Sequence, residues 1–152
     1  MCGIAYRNWI TGFIILILTV SGCVGEQGRR PPVIRYGRDV CDECRMIISE
    51  ERFSAASFNS EGEAVRFDGI GCLIRYHVRH PLHAEKTWVH DYQSEKWVQA
   101  DSAFFVSTQT VATPMGSGIV AFASQSEAAR FMSDHGGTSV EWNNLPALVQ
   151  TQ

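Results

Sequence analysis

The 152-residue sequence holds no G-x-S-x-G elbow, no H-E-x-x-H pair and no P-loop, so the common serine-hydrolase, zinc-protease and nucleotide-phosphate signatures are all absent. Basic charge is in deficit, with 13 Lys+Arg against 16 Asp+Glu and a formal net charge of -3, which excludes a basic surface for nucleic acid. Only one C-x-x-C is present, whereas a zinc ribbon needs two ligand pairs. No internal repeat aligns. The single long apolar run, Ile10 to Val20, is too short to cross a bilayer comfortably.

What that run does supply is an address. Arg7 precedes it, and it ends in the small residues of Val20-Ser21-Gly22-Cys23, as signal-peptidase segments do. Val-Ser-Gly-Cys resembles the lipobox of bacterial lipoproteins, which implies a signal peptide over 1–22, cleavage before Cys23 and acylation of that thiol. Several acyl chains meet the requirement of more than one hydrophobic signal for stable anchoring. The expected location is the periplasmic side of a bacterial membrane. The outer membrane is favoured, since Val24 stands where inner-membrane retention is often marked by aspartate. Without the leader and its Arg7 the chain carries 12 basic and 16 acidic residues, a net charge of -4.

Gly25, Gly28, Pro31, Pro32 and Gly37 make 23–39 read as the lipidated terminus and a flexible tether, with order beginning near Ile34 and the folded domain drawn as 40–152. One domain is the expectation for about 130 mature residues.

The centre of the domain is Val40-Cys41-Asp42-Glu43-Cys44-Arg45-Met46-Ile47-Ile48, with three sulfurs inside six residues. Thiolate and thioether donors together select Cu(I). Cys44 and Met46 are two apart, so in extended backbone both leave one face and share an ion. The C-x-x-C of Cys41 and Cys44 by itself equally suits zinc, redox chemistry or a short disulfide. Removing Cys2 and Cys23 leaves Cys41, Cys44 and Cys72, an odd number in an exported domain, so at least one thiol is free or bound to something. A disulfide closing so short a loop adds little stability.

Along the chain, residues 52–58 and 63–68 flank the turn signal Asn59-Ser60-Glu61-Gly62 and predict a hairpin. Asp68 is placed to cap a helix whose stripe is Ile70, Leu73, Ile74, His77 and Val78, stopped by Pro81. Cys72 falls off that stripe and reads as a small packing residue on a second face. Strands follow at 86–92, 96–98 and 102–107, then the glycine-rich loop Thr113-Pro114-Met115-Gly116-Ser117-Gly118 and the strand Ile119 to Phe122. Ser124 and Glu127 make a capping box for a second helix with Ala128, Phe131, Met132 and His135 inside, ended by Gly136-Gly137, and 138–142 is the last strand. Hairpin, helix, strands, helix, strand is an α+β order with a mostly antiparallel sheet.

Met115, in a polar glycine-rich loop, is poorly placed for packing and reads as a remote sulfur donor, whereas Met132 reads as core. Cys72 with His77, His80 or His83 is the only way to complete a zinc site, at unconventional spacing. His90, alternating with Trp88 and Tyr92, is kept with Cys41 as an additional candidate ligand.

Cys41-Asp-Glu-Cys44-Arg-Met46-Ile, Asp68-Gly69-Ile70, Thr113 to Gly118 with Ala121-Phe122, and Ala128 to Gly137 together resemble the NosL lipoproteins, over about residues 40–145 and including the lipobox. The resemblance implies an α+β fold related to a domain of organomercurial lyase. It implies a copper chaperone rather than an enzyme, holding one Cu(I) per chain. The copper would serve the maturation of periplasmic nitrous oxide reductase in denitrification, through docking on a membrane transporter of that assembly system. It carries the family's C-x-M onto Cys44 and Met46 and its loop methionine onto Met115. A cysteine at the position of Cys41 is present in only part of the family, leaving it open as second thiolate, transfer intermediate or disulfide partner. The competing classes are a thiol-redox or organomercurial-lyase-like enzyme using Cys41, Cys44 and Cys72, and a lipoprotein module that binds only protein partners.

Overall fold

The computed structural model describes residues 30–149. The expected leader, the expected lipidation site Cys23 and the first part of the expected tether lie outside the described residues. Packing begins earlier than residue 40: Ile34 is buried, and Tyr36 Oη meets Ser54 Oγ at 3.0 Å. Two apolar side chains within the glycine- and proline-rich stretch are enough to fasten its end to the fold.

Two antiparallel sheets carry the described residues. The first has strands β1 (Ala55–Phe58), β2 (Ala64–Phe67), β3 (Thr87–His90) and β4 (Trp97–Gln99) in the order β2-β1-β3-β4. The second has β5 (Phe104–Ser107), β6 (Ile119–Phe122) and β7 (Thr138–Val140) in the order β6-β5-β7. The expected hairpin is β1 with β2, in the register Ala55 with Phe67 and Phe58 with Ala64. Its turn is held by Asn59 Oδ1, which accepts from the amides of Glu61 and Glu63.

The sequence pattern reads as one continuing sheet, but the strands divide into two. Asp91 joins them: its backbone bridges Ala121, and its Oδ1 accepts from the Ala123 amide at 2.9 Å.

Helix α1 (Ile70–Arg79) presses Ile70, Leu73 and Ile74 onto β1 and β2, and helix α2 (Gln125–His135) lies on β5 and β6. The Ser124 capping box is present, with Ser124 Oγ accepting from the Glu127 amide and donating to Glu127 Oε2. A third helix, α3 (Leu145–Val149), packs against α1. Five residues containing a proline give too little periodicity to announce it.

Among the described residues the fold is thus α+β, with antiparallel sheets and three α-helices. Its main core gathers Ile48, Phe67, Leu73, Ile74, Phe105 and Leu145, and a second core under α2 gathers Val106, Val120, Phe122 and Phe131. Truncating Phe67, which has no exposed surface, to alanine costs about 3–5 kcal/mol. Among the described residues no helix is long and apolar enough to cross a membrane.

Candidate metal site

Residues 40–47 close into a tight loop. Val40 and Ile47 form an antiparallel bridge, the Cys41 amide donates to Met46 O at 2.8 Å, and the Arg45 amide donates to Cys41 O at 3.0 Å. Arg45 takes a left-handed φ of 66°, which turns the chain between Cys44 and Met46. The backbone here is not extended, so strand alternation is not what relates those two side chains. The loop is pinned to β2 by Asp42, whose amide donates to Arg66 O and whose Oδ2 accepts from the Arg66 amide at 2.7 Å. Glu43 pairs with Arg79 of α1.

The start of α1 lies beneath this loop. Asp68 does not cap the helix as expected: Gly69 is the N-cap, and no side chain bonds there. The Asp68 carboxylate, 6% exposed, faces the sulfur loop instead. Cys44 Sγ donates to its Oδ2 at 3.4 Å, while Oδ1 is buried with no hydrogen-bond partner, which is costly unless something else satisfies it. Cys72, one helical turn further on, is also buried. The sulfurs of Cys41, Cys44 and Cys72 and a carboxylate oxygen of Asp68 all lie within 4.8 Å of one another, and the three cysteines are free thiols.

Protons are unequally shared in this cluster. A hydrogen bond from the Cys72 thiol, joined by the amides of Cys44, Asp68 and Glu43, holds Cys41 down at about 6 against the opposing effect of burial. Burial pushes Cys44 up to about 11, helped by Cys41 and Asp68. Cys72 is raised by its bond to Cys41, by burial and by Asp68, although Arg75 Nη2 donates to its sulfur at 3.4 Å. These directions favour negative charge on Cys41 and protons on Cys44 and Cys72. A soft cation takes their place, since metal binding releases thiol protons.

The glycine-rich loop completes the site from the other side. Pro114–Gly116 make a 3-10 turn with Met115 at a left-handed φ of 55°, and Thr113 Oγ1 accepts from the Gly118 amide at 2.8 Å. The loop rests on the first turn of α1: a Cβ on Gly71 would come within 2.3 Å of Ser117 Cβ, so glycine there permits the approach. Met46, Ile47, Asp68, Pro114 and Met115 consequently line one groove of about 200 Å³. Met46 is 56% and Met115 52% exposed. Two thioethers thus stand at the water's edge above a carboxylate that holds the Cys44 thiol.

Of the sequence-predicted ligands, Cys44, Met46 and Met115 converge around Asp68, and Cys41 lies in the buried layer behind them. His90 does not join them: its Nε2 meets Tyr36 Oη at 3.2 Å, its Nδ1 meets Glu95 O at 2.8 Å, and its ring stacks on Trp97 at 3.7 Å. With both nitrogens engaged it has no lone pair to offer a metal, so its candidacy is withdrawn. The histidines considered for zinc are also engaged elsewhere. His77 Nδ1 accepts from the Leu82 amide, His80 stacks on Tyr76 and His83 faces Glu85. Asp68 is the member that sequence reasoning passed over, and Cys72 is one it named only for the zinc and thiol-enzyme alternatives.

A model of the NosL family matches residues 33–149. No curated protein matches the chain. The crystal structure of the copper chaperone NosL from Shewanella denitrificans is similar, with a TM-score of 0.65 and 18% sequence identity, covering 76% of this chain and 94% of that one. At that identity the likeness is one of fold.

Proposed function

The chain belongs to the NosL family, and from that premise we propose that it is a Cu(I) chaperone whose cargo is held by Cys44, Met46 and Met115. The observation that carries this reading is the shared groove: Met46 and Met115 line it together with Asp68, and Asp68 holds the Cys44 thiol at 3.4 Å. One thiolate and two thioethers are a soft donor set that suits Cu(I) over harder ions. Exposure of both thioethers leaves a side open through which a recipient's ligands enter, so the ion passes by ligand exchange rather than by release into water. A structural relative described as a copper chaperone supports the same cargo.

Acylation at Cys23 tethers the chaperone to the periplasmic side of the membrane and raises its effective concentration beside a membrane-bound partner. The recipient in this reading is nitrous oxide reductase, reached through the transporter of its assembly system. An enzyme reading fits less well. Its nucleophile would be the thiolate of Cys41, which has no exposed surface through which a substrate could reach it.

The test is anaerobic titration of the reduced, detergent-solubilised full chain with Cu(I) against a chelator. One ion per chain is expected, and unchanged affinity in Cys44→Ser would refute the assignment.

A further inference from the structure

The three free thiols around Asp68 are not equivalent. Cys44 is partly exposed, and its thiol donates to Asp68 Oδ2 at 3.4 Å. Cys41 and Cys72 are 0% and 1% exposed, and the Cys72 thiol donates to the Cys41 sulfur. Three sulfurs are thereby sorted into one buried, hydrogen-bonded pair and one remainder at the water's edge. The pair joins two elements far apart in sequence, the 40–47 loop and helix α1.

The same placement decides which two sulfurs an oxidant would link. All three lie within 4.8 Å of one another, so reaching the bonded separation of about 2.05 Å takes an approach of under roughly 3 Å, shared by two side chains. A Cys41–Cys72 bond closes a loop of about 30 residues, whereas a Cys41–Cys44 bond closes a single turn, and the longer loop restricts the unfolded chain more. Burial also seals the longer link from reductants, and Cys44 stays in place on Asp68. Pairing through Cys44 would instead take the one thiol that reaches the groove carboxylate.

The geometry points to a Cys41–Cys72 disulfide as the oxidised form of this domain, installed through Cys44 by an oxidant of the disulfide class. Neither buried sulfur meets an external reagent directly, so entry is through the partly exposed one. Cys44, as thiolate, attacks one sulfur of the oxidant's disulfide and releases the other as a thiol. Cys41 then attacks Cys44 Sγ, which breaks the mixed disulfide and releases the oxidant's second thiol. Cys72 finally attacks Cys41 Sγ, and Cys44 leaves as a thiol again. The three exchanges oxidise two protein thiols to one disulfide, reduce one external disulfide to two thiols, and pass two protons to it. The sulfur loop is then stapled to α1, with a single thiol remaining. The pairing itself is independent of copper, and only its consequence for the groove rests on the Cu(I) reading.

The reduced, metal-free full chain in detergent is equilibrated anaerobically with one equivalent of oxidised glutathione, quenched with iodoacetamide at intervals and digested for mass spectrometry. Cys44→Ser and Cys72→Ala are treated alongside, each checked for native circular dichroism. The expected final product of the unsubstituted chain is alkylated at Cys44 and carries Cys41 linked to Cys72. Cys44→Ser reaches the same link at least about tenfold more slowly, because the entry thiol is gone. Cys72→Ala stops at Cys41–Cys44, with neither of those thiols left to alkylate. Alkylation of Cys41, Cys44 and Cys72 alike, a final disulfide containing Cys44 in the unsubstituted chain, or equally fast oxidation of Cys44→Ser would each overturn the proposal. The map of the unsubstituted chain is decisive even where a variant does not fold. None of these readouts involves copper, so their failure and failure of the Cu(I) titration are separate results.

Discussion

The Cys44 thiol donates to Asp68 Oδ2 across 3.4 Å, joining the sulfur loop to the start of helix α1. That contact places the proposed thiolate donor at a carboxylate which also lines the groove of Met46 and Met115. Four residues from three separate segments meet there, and the backbone devices that bring them together can each be tested.

The two methionines are graded donors in this account. Met46→Ala and Met115→Ala should each weaken Cu(I) binding by about tenfold, and both together by more, since the Cys44 thiolate remains in every case. Chelator competition measures this. Equal loss in Met46→Ala and Cys44→Ser would contradict the grading.

Gly71 governs how closely the Met115 loop approaches α1. In Gly71→Ala the new Cβ would stand 2.3 Å from Ser117 Cβ, so the loop must move outward. The expected cost is roughly 1–3 kcal/mol in denaturant unfolding, with Cu(I) affinity falling as Met115 is carried away. A variant with native affinity would show that the position of this loop does not matter to the metal.

Asp91 is the stitch between the sheets. Although burial works against it, hydrogen bonds from Ser94 and the Ala123 amide keep its carboxyl below the usual value of 3.8. The stability it contributes is therefore present above pH 3.8 and lost as pH falls through the lower folded value. Asp91→Ala should cost about 2–4 kcal/mol at neutral pH, read from the denaturant midpoint, with Cu(I) stoichiometry unchanged.

Burial holds His90 and His77 below the usual value of 6.5. Above pH 6.5 both are neutral in the folded and unfolded chain alike. Below it the unfolded chain takes up protons that the folded one resists, so stability declines. Denaturant midpoints at about pH 7.5 and 5.5 should show this decline, and His90→Gln should reduce it even where the variant is less stable at both.

Much of this arrangement was legible from residue patterns. The hairpin followed from Asn59 to Gly62 between apolar segments, α2 from its Ser124–Glu127 capping box, and the α+β order from the alternation of elements. The division into two sheets was not, because it depends on where Asp91 sends its carboxylate, and a single aspartate in a strand pattern does not announce that. The site divided in the same way. Soft-donor chemistry singled out Cys44, Met46 and Met115; the two methionines line one groove with Asp68, and Cys44 reaches that carboxylate from the sulfur loop. Asp68 escaped because local rules gave it an adequate role as a helix cap, and Cys72 was read first as a packing residue and otherwise only as a ligand in the zinc and thiol-enzyme alternatives. Only the tertiary placement of the 40–47 loop over α1 makes them partners. His90 erred in the opposite direction: alternation with aromatics marked it, and burial against Trp97 with both nitrogens engaged explains it.

The most direct test of the account is X-ray absorption at the copper edge of the full chain loaded with one equivalent of Cu(I). The account predicts a first shell of sulfur alone, losing one scatterer in Met115→Ala. A shell containing nitrogen or oxygen, or one that Met115→Ala leaves unchanged, would contradict it.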